Sequence, residues 1–210
     1  MYVHKAFVEN RIPVLHSFMR THPFVSLITS GSSGLIGSHL PMVLEAKEWE
    51  MGVLRGHLSR ANPQWRDLSP EVQALVIFSG PDHYITPSWY AEKEITGKVV
   101  PTWNYAVVHA YGFLKIIEDA EWLRAHLGAL TPIHEGTFEK PWKISDAPAE
   151  YISSQVKGIV GLELRIERME GKWKLNQNRS EVDRRGVVEG LDALDTPGSL
   201  AMKDLVKKTL

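Results

Sequence analysis

Four short blocks place hydrogen-bonding and aromatic side chains beside strand-like apolar residues. They are Ser38-His39-Leu40-Pro41, Gly56-His57-Leu58-Ser59-Arg60-Ala61-Asn62-Pro63, Pro101-Thr102-Trp103-Asn104-Tyr105 and Gly171-Lys172-Trp173-Lys174-Leu175-Asn176-Gln177-Asn178-Arg179. Polar groups packed against β-structure are costly unless each finds a partner. A flat, polar, phosphate-bearing ligand would supply such partners: faces for Trp to cover, oxygens for Ser, His and Asn, and a charge for Lys and Arg.

Other chemistries fit these residues less well. The nine histidines include no His-Glu-x-x-His run, and His39 and His57 lack a third ligand at a diagnostic spacing. No Gly-x-Ser-x-Gly elbow is present. Ser38 and His39 are neighbours on one strand, so their side chains point to opposite faces and cannot form a nucleophile–base pair with each other. Gly31, Gly34 and Gly37 surround a turn followed by a strand, whereas a dinucleotide fingerprint opens a helix. On regular strands Trp103 and Tyr105 share a face opposite Asn104, and Lys172 and Lys174 share a face opposite Trp173. Lys172 and Lys174, followed by Gln177 and Arg179, make either a phosphate cradle or a solvated basic edge strand, since edge lysines also discourage aggregation. The tryptophans, likewise, are either ligand platforms or core. The chemistry points to a flavin nucleotide ahead of a metal or a covalent intermediate.

Composition narrows the classes. The chain has 210 residues, 43% hydrophobic and 23% charged, with a net charge of −1. One sizeable core is expected, as a single domain. No global basic field exists to hold nucleic acid by phosphate neutralisation alone. With no cysteine, disulfides, thiolate catalysis, iron–sulfur clusters and Cys-rich zinc sites are excluded. No signal peptide is readable and no apolar run approaches the ~20 residues of a membrane span, which predicts a cytoplasmic protein.

The elements that must position these blocks follow from pattern. Asn10 caps a predicted helix over 11–21 that ends before Pro23. Strands are predicted over 24–29, 35–44 and 52–59, with a turn at 30–34. An apolar run at 74–78 is broken by Gly80-Pro81, and strands over 99–103 and 106–117 are interrupted by Asn104-Tyr105. A helix is predicted over 119–127, followed by an irregular stretch over 130–142. Asp146 is read as the cap of a helix with Pro148 in its first turn and Ile152, Val156, Ile159 and Val160 on its buried face. Strict alternation predicts a strand over 162–169. Ser180 with Asp183 marks a last helix through Val187, Val188, Leu191 and Leu194. Pro197-Gly198 is then read as separating a basic tail. The pattern of antiparallel strands with helices at ends and corners is an α+β barrel-like domain. No helix-turn-helix is readable.

These blocks resemble the PaiB family, FMN-binding split-barrel proteins described as negative transcriptional regulators. The resemblance runs in order through His22-Pro23-Phe24, Ser38-His39-Leu40-Pro41, Leu54-x-Gly56 to Trp65, Gly80-Pro81, Tyr84 to Tyr90, Val99 to Tyr105 and Gly171 to Arg179, and so covers most of the chain. Asn176 departs from it, standing where Ser is expected. The resemblance implies a six-stranded antiparallel split β-barrel of Greek-key character with peripheral helices. It implies one domain over 1–210, with a C-terminal helical appendage over about 180–210, and a homodimer with FMN at the subunit interface. Under it, Ser38, His39 and the Arg60-Ala61-Asn62 block are expected on the phosphate or ribityl side. Trp103, Asn104, Lys174, Gln177 and Arg179 are expected near the cofactor, from the same chain or the partner. Two functions stay open: a flavin-binding negative transcriptional regulator, or an FMN-dependent oxidoreductase that uses NAD(P)H on a small molecule, with His57, Tyr105 or His109 as proton donor. The resemblance leaves DNA as a partner open; the lack of a long apolar run predicts no membrane partner.

Overall fold

The computed structural model describes residues 1–210. Ten strands and six α-helices follow one another as β1 (Val8–Glu9), α1 (Ile12–Thr21), β2 (Phe24–Gly31), β3 (Gly34–Pro41), β4 (Val43–Glu45), β5 (Val53–Ser59), β6 (Ala74–Ile85), α2 (Glu92–Thr96), β7 (Thr102–Gly112), β8 (Leu114–Ile117), α3 (Ala120–Glu135), α4 (Ala149–Lys157), β9 (Ile159–Arg165), β10 (Arg168–Lys174), α5 (Glu181–Leu194) and α6 (Pro197–Lys207). A six-stranded sheet has the order β1-β10-β7-β6-β2-β3, and a four-stranded sheet the order β4-β5-β9-β8. The larger sheet curls as the half-barrel of a split-barrel fold. By their contacts the residues fall into two compact units. One is Met1–Leu15, Ser79–Val108 and Glu170–Leu210; the other is His16–Phe78 and His109–Met169.

In the second unit, β2 and β3 form an antiparallel hairpin that pairs Leu27 with Ser38 and Ser26 with His39. Alternation along β2 buries Val25 and Leu27, while on β5 Leu54 and Leu58 turn inward beside Val160, Leu162 and Leu164 of β9. The hairpin turn is held by Asp67, whose carboxylate accepts from the Ser32 and Ser33 backbone N–H groups at 2.7 and 2.9 Å. Helices α3 and α4 meet over Leu123, Ile152 and Val156. In the first unit, α5 and α6 pack together. Val187, Leu191, Met202 and Val206 bury themselves with Ile85, Tyr90 and Leu175.

Several elements differ from the sequence expectation, for identifiable reasons. β6 runs straight through Gly80-Pro81, because proline's fixed φ lies within extended space. β7 is continuous through Asn104-Tyr105, since Asn104 is buried with a hydrogen-bonding partner; the break falls at Phe113. The predicted strand 35–44 divides at Met42, whose N–H donates to the Pro23 carbonyl at 2.9 Å. α3 continues to Glu135, past Pro132, in what was read as irregular chain. Asp146 closes a short 3-10 turn instead of capping α4, accepting from Lys143 N at 2.9 Å, and Pro148 is the residue before the helix. Ile159 and Val160 open β9, since Gly158 ends the helix. The alternating run 162–169 is two strands divided at Ile166-Glu167. Ile166, fully buried there, donates its N–H to the Gly52 carbonyl at 3.0 Å. Beyond Ser180, which caps α5 as expected, Pro197 starts α6 rather than ending structure: Thr196 and Ser199 form a reciprocal capping box before a first-turn proline.

Trp89 packs onto α5 where Gly190 stands; a Cβ there would lie 2.3 Å from the indole ring. Gly128, exposed on α3, has nothing within 4 Å of such a Cβ. Gly190→Ala is therefore expected to destabilise the chain by about 1–3 kcal/mol through overpacking, and Gly128→Ala to stabilise it by about 0.4–1 kcal/mol through lost unfolded-state entropy. Urea unfolding of both variants checks the contrast.

Candidate functional site

The loop after β5 organises the second unit around β3. Asn62 stands before the 3-10 turn Pro63–Trp65; its Oδ1 accepts from Gln64 N, and its Nδ2 donates to Ser38 Oγ, both at 2.9 Å. The Gln64 side chain, with no exposed surface, reaches under the β2–β3 hairpin. Its Nε2 donates towards Thr29 Oγ1, Ile36 O and Leu27 O at 3.0, 3.1 and 3.3 Å. An amide nitrogen carries two hydrogens, so one is shared. Arg60 faces the other way. It donates to Lys157 O at 3.0 Å and to Ile159 O at 3.2 Å, and pairs with Glu118. The α4–β9 turn is thereby tied to the loop.

Between these walls lies an open cleft of about 560 Å³, lined by Ser38, His39, Leu40 and Pro41 of β3, His57, Leu58 and Ser59 of β5, Asn62, and Gln155, Gly158 and Ile159. That volume is in the range of ligand sites. Its hydroxyls are each engaged once as acceptors: Ser38 Oγ accepts from Asn62, and Ser59 Oγ accepts from Ala61 N at 3.3 Å. Each keeps its own O–H for something else. His39 is fixed at one nitrogen by Ser26 Oγ at 3.0 Å and stacks near Phe24. Ser38 and Asn62 are thus brought together on the cleft, whereas His39 lines its edge with the ring turned to the Ser26 and Phe24 face of the hairpin. Arg60 and Ala61 belong to the supporting loop, with the guanidinium already engaged.

His57 enters the same cleft with a buried partner. Its Nδ1 lies 3.2 Å from Nε2 of His126 on α3. His57 pairs across β5 and β9 with Gly161, and the Trp122 ring occupies the space a Cβ of Gly161 would need, at 2.3 Å. That close approach brings α3 onto the sheet. Trp122 then stacks on His126, with centroids 5.4 Å apart. Burial lowers the pKa of both imidazoles. For His126 the neighbouring His57 and Arg55 add to it, and its pKa falls to about 4. The sequence singled out His57 but not His126, which is 69 residues away; the i, i+4 pairing of Trp122 and His126 on one helix face was the only available signal.

The first unit collects the remaining candidates. Lys174 Nζ donates to Trp103 O at 2.7 Å and to Thr102 Oγ1, and desolvation, with Lys172 nearby, lowers its pKa. Trp103 is half exposed and meets Tyr84 edge-on at 6.1 Å. Asn104 has no exposed surface; its Nδ2 donates to Asn176 Oδ1 at 2.5 Å, and Asn176 in turn donates to the Tyr90 hydroxyl at 2.9 Å. Gln177 closes its own turn, donating to Trp173 O at 2.6 Å and accepting from Leu175 N at 2.8 Å. The Arg179 guanidinium lies 4.8 Å from the Tyr90 ring. Asn176 adopts φ 64°, a left-handed conformation that Asn tolerates well. No cluster of His, Asp or Glu here could hold a metal ion.

A family model described as "Putative FMN-binding domain" matches residues 1–168. Over the full chain, the Bacillus subtilis protein named "Protease synthase and sporulation protein PAI 2" is 31% identical, covering 100% of this chain and 98% of its own. The chain belongs to the PaiB-type FMN-binding family. An uncharacterized protein of Emericella nidulans is 36% identical over 99% of this chain and 97% of its own. Among solved structures, the FAD and heme binding protein from Mycobacterium smegmatis superposes with a TM-score of 0.58 at 16% identity, covering 80% of this chain and 73% of that one. That likeness concerns the fold. No helix is long and apolar enough to cross a membrane.

Two outcomes follow from these contacts. Gln64→Ala strips the hairpin's buried acceptors of their donor and opens a void, so a loss of about 2–4 kcal/mol is expected in chemical denaturation. His126 stays neutral when folded down to about pH 4, whereas the unfolded chain takes up the proton near the ordinary value of 6.5. Between these pH values the unfolded state binds more protons, so stability falls as pH is lowered from 6.5 to 4. His126→Phe should flatten that part of the pH–stability profile.

Proposed function

We propose that this chain binds FMN and acts as a flavin-responsive negative regulator of transcription, as a cytoplasmic homodimer. The observation that carries the reading is the donor-lined cleft of Ser38, His39 and Asn62, which lies within the residues matched by the FMN-binding family model. Its free hydroxyl donors suit a phosphate ester, and its apolar walls, Leu40, Pro41, Leu58 and Ile159, suit the less polar part of such a ligand. In this reading Ser38 and Asn62 hold the phosphate or ribityl oxygens, with His39 at the edge of the cleft and Arg60 and Ala61 shaping the wall behind them. Trp103, Lys174 and Arg179 form a second contact surface, contributed by the partner subunit, and Asn104 and Gln177 stiffen it from beneath. FMN has about 31 non-hydrogen atoms; at about 0.3 kcal/mol each the affinity is on the order of 9 kcal/mol, a sub-micromolar Kd. When bound, FMN supplies hydride and one-electron chemistry; the chain's own residues bind and orient it.

The regulatory part draws on the name of the Bacillus subtilis relative, which associates that protein with protease synthesis and sporulation, and on the family resemblance of the sequence blocks. With a net charge of −1, DNA contact requires a local basic surface and should be strongly salt-sensitive.

The test is an absorbance spectrum of protein incubated with FMN and desalted, followed by anaerobic titration with NADPH and a gel shift on the gene's own promoter. Flavin that is retained, stays oxidised with NADPH and accompanies a salt-sensitive shift is expected. Rapid bleaching without DNA binding would convert the reading to an oxidoreductase. The double variant Lys174→Glu, Arg179→Glu is expected to lose FMN retention, and unchanged affinity would remove those two residues from the site.

A further inference from the structure

The His57–His126 pair has no place in the contact set above, yet it joins the cleft to the interior. A 3.2 Å approach between Nδ1 of one ring and Nε2 of the other is a hydrogen bond only if a single proton lies between them. One ring donates and the other accepts. The two arrangements have opposite consequences for the cleft. If His57 donates, its Nε2 is a bare acceptor; if His126 donates, His57 must carry its proton on Nε2 as a donor.

The ligand class selects between them. Ser38 and Ser59 each accept one hydrogen bond from the loop and keep an O–H to give. An anionic oxygen takes hydrogen bonds from such donors and is repelled by a bare imidazole lone pair, so it suits only the arrangement with the proton on His57 Nε2. The pair is held neutral. Burial opposes a charge on either ring, and the positive charge of Arg55 further opposes protonation of His126.

We infer that His57 is an anion-contacting donor of this cleft, presenting its Nε2–H to a phosphate-type oxygen, and that His126 is the positioning residue that holds it in that tautomer by donating its own Nε2–H to His57 Nδ1. The inference takes its ligand class from the reading of the cleft as a flavin phosphate site. The hydrogen bond between the two rings stands without that reading.

Long-range 1H–15N spectra of the imidazoles read the tautomer directly. In the full-length protein without added ligand at pH 7.5, His57 is expected as the Nε2–H form with an unprotonated Nδ1. Inorganic phosphate should move its Nε2–H resonance saturably. In His126→Phe, which keeps a ring against Trp122, His57 should become a tautomer mixture, and affinity for FMN should fall only by the inverse of the Nε2–H fraction, about twofold. His57→Phe, which removes the donor, should lower affinity for FMN about tenfold, the loss expected for one hydrogen bond to a charged group. Riboflavin, which lacks the phosphate, should bind the wild type and His57→Phe within about twofold of each other. His126→Gln retains a donor and should restore the single Nε2–H tautomer. A His57 that carries its proton on Nδ1, or one that responds to neither phosphate nor FMN, overturns the inference. Phosphate that shifts His57 in a protein binding no flavin would instead overturn the FMN reading and leave the anion-contacting role in place.

Discussion

A single buried amide holds the candidate site in shape. Gln64 sits on a short loop, yet its nitrogen serves acceptors on both strands of the β2–β3 hairpin, at Leu27, Thr29 and Ile36. Loop backbone is ordinarily mobile because it has few such anchors. Here the amide is fully buried, so abandoning it would leave polar atoms unpaired in a low-dielectric interior. Once Gln64 is fixed, Asn62 two residues earlier has little freedom, and its bond to Ser38 follows. Arg60, two residues earlier again, reaches the α4–β9 turn. Alternate side chains of one loop thus bind the β2–β3 hairpin and the α4–β9 turn, and the cleft lies between them.

This arrangement changes what the polar residues mean. Arg60 bears a charge that could neutralise a phosphate, but its hydrogens go to two carbonyls and a carboxylate. The hydroxyls of Ser38 and Ser59 are the groups left with a donor to offer. In the first unit the same economy holds. Asn104, Asn176 and Tyr90 form a buried chain of hydrogen bonds, and Gln177 secures the turn that puts Asn176 in its left-handed conformation. Trp103 and Arg179 lie outward of this network. Pre-organised side chains lose less freedom on binding, which is the part that Asn104 and Gln177 take in the proposed second contact surface.

The histidine pair depends on a residue with no side chain. Gly161, opposite His57, lets Trp122 settle on the sheet, and α3 follows closely enough for His126 to meet His57. Any larger residue at 161 would push the helix outward. The pairing is therefore a consequence of helix–sheet distance, which depends on side-chain volume more than on any attraction between the imidazoles.

Local signals were legible wherever one residue decides a local geometry. Ser180 accepts from the Asp183 N–H at the start of α5, Asn104 turns inward while Trp103 turns out, and the β2–β3 hairpin forms around its Ser/Gly turn. These follow from capping chemistry and from the two-residue period of a strand. The ordered blocks were also sufficient to reveal the family, because they run in the same order along most of the chain. Tertiary structure decided what depends on partners distant in sequence. It carried β6 through Gly80-Pro81 and split the alternating run 162–169 at a buried Ile166, because ladder hydrogen bonds come from other strands. It also gave Arg60 to a turn nearly a hundred residues away and His57 to His126. Spacing along a chain determines which face a side chain takes; only the folded chain determines what stands opposite it.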